Sequence, residues 1–239
     1  PPRSTPSNSS AASDVYKRQF SGVVNWVRLE PRPGTNEMML GTLGANGGIY
    51  EIYGIWWNGS SWSNGREITT AASIATELCF DLAWESLSGK CMVLWGEGTG
   101  TQYDLWDSGT TSWDAGGPYA GPNIGATANW IELASDPSSN KIGFTSIDGG
   151  SDWNVCIWDN GWGGLPTEDT DMSGNATRIT DIAWEKDSGK CIVVGVDTVN
   201  TRFDWTYWQS GSWAQPPSSA YTDTYDWGGT LNWLQLVPD

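Results

Sequence analysis

The chain has 239 residues, including 18 Trp, 30 Gly and 4 Cys, and it has no His. Its formal net charge of −16 disfavours nucleic acid and anionic membranes as partners, because both require a basic surface. No apolar run approaches the roughly 18 residues of a transmembrane helix, so no membrane insertion is predicted. Without His the most frequent general base is missing, and the four Cys form no CxxC pair, which argues against a zinc site.

The first 19 residues differ from the rest of the chain. They are rich in Pro, Ser and Ala and contain no Trp, so we predict a disordered segment at 1–19. Residues 10–19, Ser-Ala-Ala-Ser-Asp-Val-Tyr-Lys-Arg-Gln, resemble the translation of a sequencing adapter and are left out of the fold prediction. Since the chain also begins without Met, we expect a fragment of a longer protein whose repeat domain spans 20–239.

A Trp followed by a short polar turn and a second Trp recurs four times along the chain. The leading residues are Trp57, Trp106, Trp158 and Trp208, and their partners are Trp62, Trp113, Trp162 and Trp213. A second anchor with the same period is an aliphatic residue in an alternating segment, at Leu29, Leu82, Leu133, Ile182 and Leu236. This period of about 50 residues predicts units at 22–76, 77–127, 128–176 and 177–230, with a fifth unit starting at 231–239.

Each unit is predicted to contain four short strands joined by tight turns. Residues 79–84 alternate in side-chain character with the period of a strand, and Asn58 with Gly59 is a strong hairpin signal. Repeated four-stranded units of this length are typical of propeller blades. We therefore predict an all-β fold, a complete or partial β-propeller of about four antiparallel blades plus the first strand of a fifth. A β-sandwich pair and an open β-solenoid are the alternatives.

Two segments resemble motifs of known propeller families. Gly47 and Gly48, followed by an aromatic strand and then by Trp57, resemble a kelch blade. Residues 146–153, Ser-Ile-Asp-Gly-Gly-Ser-Asp-Trp, resemble the Asp-box of sialidase-type propellers, although Asp152 stands where that motif usually has Thr; an ordinary Gly/Asp turn is the alternative. Residues 22–239 also resemble Trp-rich tandem repeats of secreted or surface-attached microbial proteins. This last resemblance implies an extracellular or cell-surface location.

The tryptophans that do not recur are the candidates for ligand binding. Most of the 18 Trp occupy repeat positions, where packing between units explains them. Flat aromatic faces stack on sugar rings, so an unrepeated Trp on a loop or surface is a candidate platform for a glycan; incidental or interfacial exposure is the alternative. The candidate binding residues are Trp56, Trp95, Trp153, Trp205 and Trp227.

The third position of each first strand carries a polar residue. The five residues are Arg28, Asp81, Glu132, Asp181 and Gln235. If first strands line the centre of a propeller, Asp81, Glu132 and Asp181 are candidate ligands of Ca²⁺, which prefers oxygen donors. Pairing of these carboxylates with Arg28 or other basic residues is the alternative. No other cofactor and no catalytic residue is predicted, since the conspicuous carboxylates recur from unit to unit.

The combined features predict a non-catalytic extracellular repeat domain that binds a protein or a glycan or serves as a scaffold. One alternative is a propeller glycoside hydrolase of sialidase type, which requires two carboxylates across a cleft. Another is a carbohydrate-binding module of a larger enzyme.

Overall fold

The computed structural model describes residues 22–164, 167–173, 178–197, 202–214, 221–222, 231 and 233–237. Within these residues the chain is all-β and forms four antiparallel sheets. The described part contains no helix of the length and apolarity that a membrane span requires. Residues 1–19, for which disorder is predicted, lie outside the described residues.

The strands follow one another along the chain in four groups. Sheet 1 contains β1 (Val23–Pro31), β2 (Met38–Asn46), β3 (Ile49–Trp57) and β4 (Trp62–Thr69). Sheet 2 contains β5 (Phe80–Trp84), β6 (Lys90–Glu97), β7 (Gly100–Asp107), β8 (Ser112–Trp113) and β9 (Tyr119–Ala120). Sheet 3 contains β10 (Ala128–Ser135), β11 (Ile142–Asp148), β12 (Trp153–Trp158) and β13 (Thr167–Asp169). Sheet 4 contains β14 (Thr180–Trp184), β15 (Cys191–Val196), β16 (Phe203–Gln209), β17 (Ser212–Trp213) and β18 (Tyr221–Thr222).

In every sheet, the first four strands pair side by side in chain order. The orders are β1-β2-β3-β4, β5-β6-β7-β8, β10-β11-β12-β13 and β14-β15-β16-β17, with β9 on β7 and β18 on β16. The first strands contact one another, because β5 lies against β1 and β10, and β10 lies against β14. The predicted all-β fold built from four-stranded antiparallel units is confirmed.

The predicted aromatic hairpins are also confirmed. The two tryptophans of each hairpin lie opposite each other, as Trp57 does with Trp62 and Trp208 with Trp213. Ring centroids are 5.3, 5.5 and 5.4 Å apart in sheets 1, 2 and 3. In sheet 1 the turn is closed by Asn58, whose Oδ1 accepts the N–H groups of Ser60 and Ser61 at 2.9 Å, and Gly59 supplies the positive φ of 92°. The paired rings thus pack across the hairpin between the third and fourth strands of sheets 1, 2 and 3.

Sheets stack face to face, so both faces of an inner sheet are apolar. In sheet 3, Trp158 lies 5.3 Å from Tyr103 of sheet 2, whereas Val155 and Ile157 pack in the core shared with sheet 4. A hydrogen bond between units recurs at the end of the first strand. Nε1 of Trp84 donates to the Glu30 carbonyl at 3.0 Å, and Nε1 of Trp184 donates to the Ala134 carbonyl at 2.9 Å. The same contact therefore joins sheet 2 to sheet 1 and sheet 4 to sheet 3.

The C-terminal residues 233–237 lie against sheet 4 without forming a strand. The Leu234 N–H donates to the Arg178 carbonyl at 2.9 Å, and the Leu236 N–H donates to Oδ2 of Asp181 at 2.5 Å. Between sheets 3 and 2, the Leu133 N–H donates in the same way to Oδ2 of Asp81 at 2.8 Å. The segment thus occupies the place of a first strand, but no second strand pairs with it in the described part of the chain.

All four cysteines are free and buried. Burial raises the pKa of the Cys79 thiol to about 11 and that of Cys156 to about 12. A thiol with such a pKa is a poor nucleophile near neutral pH. These residues therefore serve as small apolar core residues.

Replacing Gly143 with Ala should destabilise the interface between sheets 3 and 4. An added Cβ would lie 2.6 Å from Cδ1 of Ile182 and 2.7 Å from Sγ of Cys191, and both side chains are buried. Overpacking of this kind costs about 1–3 kcal/mol, so urea titration should report a lower free energy of unfolding. Gly161→Ala is the matched control, since a Cβ there meets nothing within 4 Å. Equal losses for the two variants would contradict the tight interface.

Candidate functional site

A crevice of about 350 Å³ opens between the outer parts of sheets 1 and 2. It lies beside the hairpin tryptophans of sheet 2 and the fourth strand of sheet 1. Its lining comprises Asn64, Gly65 and Arg66 of sheet 1 and Trp106, Thr111, Ser112 and Trp113 of sheet 2. The volume falls at the lower end of the range of about 300–1,000 Å³ for small-molecule sites.

Arg66 supplies the positive charge of the crevice. Its Nη1 lies 3.1 Å from Oδ2 of Asp104, a fully buried side chain of sheet 2, and its guanidinium lies 5.9 Å from the centroid of the Trp113 ring. Burial raises the pKa of Asp104, and the Arg66 charge opposes this shift. Because the side chain of Arg66 is still 35% exposed, guanidinium N–H groups are available to a bound molecule.

Two tryptophans form the aromatic wall of the crevice. Trp113 is half-buried, and its Nε1 donates to the Asn64 carbonyl at 3.1 Å. Its ring tip packs on Gly54, where an added Cβ would lie 2.8 Å from Cη2. Trp106 is fully buried, and its Nε1 has no hydrogen-bond partner among the described residues. The accessible part of the wall is therefore the half-buried Trp113 ring, since Trp106 exposes no surface to a ligand.

The chemistry of this lining suits a polyhydroxylated ligand. An aromatic face covers the apolar C–H groups of such a ligand, while Arg66 and the side chains of Thr111 and Ser112 exchange hydrogen bonds with its hydroxyls. The lining contains no carboxylate, and the nearby Asp104 is paired with Arg66. A pair of carboxylates facing each other, which glycoside hydrolysis requires, is not found in this crevice.

A chain of ion pairs occupies the meeting point of the first strands. Arg28 lies between two carboxylates, with Nη2 2.6 Å from Oε1 of Glu132 and Nε 3.2 Å from Oδ1 of Asp81. Arg178 continues the chain, with Nε 3.2 Å from the same Glu132 oxygen and Nη2 2.8 Å from Oδ1 of Asp181. The predicted polar cluster is therefore present, with Arg28 paired to the acids and Arg178 added. Gln235 is exposed.

Each acid of this cluster also accepts an N–H group. Glu132 accepts the indole N–H of Trp130 at 2.9 Å, and Asp81 and Asp181 accept the backbone bonds from Leu133 and Leu236. No group of three or more Asp, Glu, His or Cys side chains among the described residues is placed to hold a metal ion. Binding of Ca²⁺ by Asp81, Glu132 and Asp181 stays a prediction, and a cation there has to compete with two guanidinium groups.

Three of the five candidate tryptophans are not on the surface. Trp95 and Trp153 are 0% exposed and Trp56 is also buried, so the expectation that they form exposed platforms is wrong. The indole N–H of Trp95 donates to Glu97 at 3.0 Å, and that of Trp153 donates to Thr145 at 2.9 Å. Both polar groups are thus satisfied inside the fold, which allows the rings to fill the core.

The other two candidates have different outcomes. Trp205 is half-buried on β16 and stacks on Tyr207, with ring centroids 6.4 Å apart and planes 18° apart. Its role in binding stays a prediction. Trp227 lies outside the described residues. The crevice residues Arg66 and Trp113 were missed, although Arg66 does not recur in the other units and so met the criterion of an unrepeated residue.

The segment that resembles an Asp-box forms a local turn between β11 and β12. Oδ1 of Asp148 accepts the N–H groups of Gly150 at 2.8 Å and Asp152 at 3.0 Å, and its Oδ2 accepts from Asn154 at 3.3 Å. Ser151 takes a positive φ of 65°. With the Asp148 side chain buried and bound in this way, the segment stabilises its own turn.

Comparison with protein-family models and with curated protein sequences finds no match. Among solved structures, the BP39L lectin from Burkholderia pseudomallei is similar, with a TM-score of 0.57 and 13% identity over 85% of this chain and 58% of the lectin. AofleA from Arthrobotrys oligospora has a TM-score of 0.52 and 13% identity over 84% of this chain and 57% of that protein. The SapL1 lectin, solved in complex with alpha methyl fucoside, has a TM-score of 0.50 and 16% identity, covering 87% of this chain and 64% of the lectin.

These similar structures are β-propeller proteins, and the likeness shows the fold. The chain is a propeller-type repeat protein. It spans less than two thirds of the length of the proteins that it resembles, between 57% and 64%.

Replacing Glu132 with Gln should flatten the dependence of stability on pH. Burial, followed by repulsion from Asp81, raises the pKa of Glu132 from 4.5 to about 8, although the two arginines oppose the shift. Between these values the folded protein holds a proton that the unfolded chain has released, so rising pH lowers the free energy of unfolding. Glu132 therefore makes its full contribution to stability below this pH window, and that contribution is lost as the pH rises through the window.

Gln releases no proton, and its side-chain oxygen can still accept the Trp130 N–H. Urea unfolding measured at several pH values across this window should show a smaller decline for Glu132→Gln than for the unchanged protein. A part of the decline should persist, because burial also raises the pKa of Glu30 to about 8. Parallel curves for the two proteins would contradict the assignment to Glu132.

Proposed function

We propose that this chain is a non-catalytic repeat domain that binds carbohydrate in the crevice between sheets 1 and 2. The observation that carries the proposal is the placement of a partly exposed Arg66 beside the half-buried Trp113 ring, with Thr111 and Ser112 in the same lining. A sugar ring presents an apolar face and several hydroxyls, and this lining offers a surface for each.

The ion pair with Asp104 positions Arg66 for this role. The Asp104 carboxylate is fully buried and bonded to the Leu105 N–H at 2.8 Å, so it is a fixed anchor for the guanidinium. An ion pair to a buried carboxylate restricts the orientation of the guanidinium before a ligand binds, which lowers the entropic cost of binding. Arg66 therefore meets a ligand in a prepared geometry.

The fold likeness adds support of a general kind. Two of the similar structures are named lectins, one of them in complex with alpha methyl fucoside. Sequence identity to these proteins is 13% and 16%, so the choice of sugar in this chain rests on its own lining.

The number of blades and the location of the protein are further parts of this proposal. We assign four blades and the first strand of a fifth, the latter supported by the contacts of Leu234 and Leu236 with sheet 4. An extracellular or cell-surface location fits the formal charge of −16 and a sugar ligand.

Replacing Trp113 with Ala should abolish most of the sugar binding. The protein would first be screened on a glycan array that includes α-methyl fucoside, and the strongest free sugar would then be titrated by calorimetry. Because the substitution removes an aromatic contact and the ring beside Arg66, the dissociation constant should rise by about tenfold or more.

Trp62→Ala is the matched control. Trp62 is the same hairpin residue in sheet 1 and pairs with Trp57 at 5.3 Å, but it does not line the crevice. Thermal melts would show whether both variants fold equally well. The proposal fails if no sugar on the array binds, or if Trp62→Ala weakens binding as much as Trp113→Ala does.

A further inference from the structure

In the part of the chain that the structure describes, no element covers the face of sheet 1 that points away from sheet 2. We call this surface the head face, and it includes Val27, Leu29, Leu40 and Trp57. Leu29 is 52% exposed, although its equivalents Leu82, Leu133 and Ile182 are only 1%, 9% and 5% exposed. Val27 is 59% exposed, whereas Phe80 and Ile131 at the same position are fully buried. Exposed apolar side chains grouped on one face of a sheet are typical of an interaction surface.

Sheet 4 has the complementary surface, which faces away from sheet 3. We call it the tail face, and it includes Ile192 and Tyr207 with the aliphatic part of Lys190. Both Ile192 and Tyr207 are half-buried. The residues at the position of Ile192 in sheets 1 and 2 are Met39 and Met92, and both are buried against the following sheet. The residues at the position of Tyr207 in sheets 1, 2 and 3 are Trp56, Leu105 and Ile157, which are buried in the same way.

The contacts between sheets within the chain show what such faces bind. Trp56, on the tail-side face of sheet 1, contacts Trp106 on the head-side face of sheet 2 at 5.1 Å. Tyr103, on the tail-side face of sheet 2, contacts Trp158 and Trp162 of sheet 3 at 5.3 and 6.0 Å. A head-side face with its hairpin tryptophans thus covers the tail-side face of the sheet before it. The head face of sheet 1 carries the equivalent pair, Trp57 and Trp62.

The segment 233–237 identifies the kind of strand that sheet 4 accepts. It binds Arg178 and Asp181 through the N–H groups of Leu234 and Leu236. Its sequence Trp-Leu-Gln-Leu matches residues 26–29 of β1, Trp-Val-Arg-Leu. The segment nonetheless leaves Ile192 and Tyr207 half-buried, because no second or third strand accompanies it in the described part of the chain. A complete sheet 1 would bring those strands.

We propose that the tail face of one molecule binds the head face of a second copy of this chain. In this contact β1 of the second copy takes the place of residues 233–237, and its β2 and β3 cover Ile192 and Tyr207. The contact is heterologous, with two different surfaces meeting head to tail, so it produces either a closed ring or an open array of molecules.

Two variants block one surface each. Leu29→Glu places a charge on the head face, and the residue is exposed in the single molecule, so folding is preserved. Tyr207→Glu places a charge on the tail face, where Lys190 Nζ lies 5.1 Å from the ring and can pair with the new carboxylate. Leu87→Glu is the control, because Leu87 is 69% exposed in the turn after β5 and belongs to neither face.

Sedimentation velocity over a wide concentration range provides the test. The unchanged chain and Leu87→Glu should self-associate with rising concentration, whereas Leu29→Glu and Tyr207→Glu alone should associate at least about tenfold more weakly. An equimolar mixture of these two variants should form a one-to-one dimer, because the mixture retains one intact head face and one intact tail face. Circular dichroism would confirm that each variant folds.

Three results would overturn the proposal. The first is a monomeric unchanged chain at every concentration, which would leave the two faces to further repeat units of a longer polypeptide. The second is association that survives one of the two blocking substitutions, since this indicates contact between two like faces. The third is a mixture of the two variants that stays monomeric although both variants are folded.

Discussion

Each sheet of this protein is apolar on both faces, and the requirement to cover both faces organises the whole structure. Sheet 3 meets the requirement fully, since Trp158 packs on Tyr103 of sheet 2 and Ile157 packs in the core with sheet 4. One repeat unit cannot bury its apolar faces alone, so neighbouring units have to stack on it. Stacking sheets in chain order follows from this, and so does the exposure of Leu29 in sheet 1, which no other sheet precedes among the described residues.

Polar groups enter this apolar stack only where they have partners. At the meeting point of the first strands, three acidic side chains and two guanidinium groups alternate, and the backbone N–H of a following unit satisfies a further oxygen of Asp81 and of Asp181. Removing a buried charge from such a chain leaves its partner unpaired, which is costly. The cluster therefore ties neighbouring units together and sets the position of each first strand relative to the next.

The repeat could be predicted from the sequence because it depends on local signals. The spacing of the hairpin tryptophans and the turn at Asn58 and Gly59 specify strands and turns within one unit. The burial of Trp153 could not be predicted in this way, because it depends on Gly195 of the next unit, where an added Cβ would lie 3.2 Å from the indole ring. Arg66 was missed for a similar reason, since its partner Asp104 belongs to another sheet. Contacts between units decide which tryptophans are core and which residues form a site.

The candidate site lies where the sequence of one unit differs from the repeat, whereas the strands and hairpin around it follow the repeat. Arg66 stands four residues after the hairpin Trp62, and the residue at the same distance after Trp113 is Gly117. Between sheets 2 and 3 the aromatic side chains are also arranged differently, with Tyr103 contacting Tyr119, Trp158 and Trp162. The hairpin tryptophans thus provide the same wall in each unit for reasons of packing. Whether that wall faces a charged crevice or more aromatic rings is decided by one or two residues outside the repeat, and these residues determine where binding is expected.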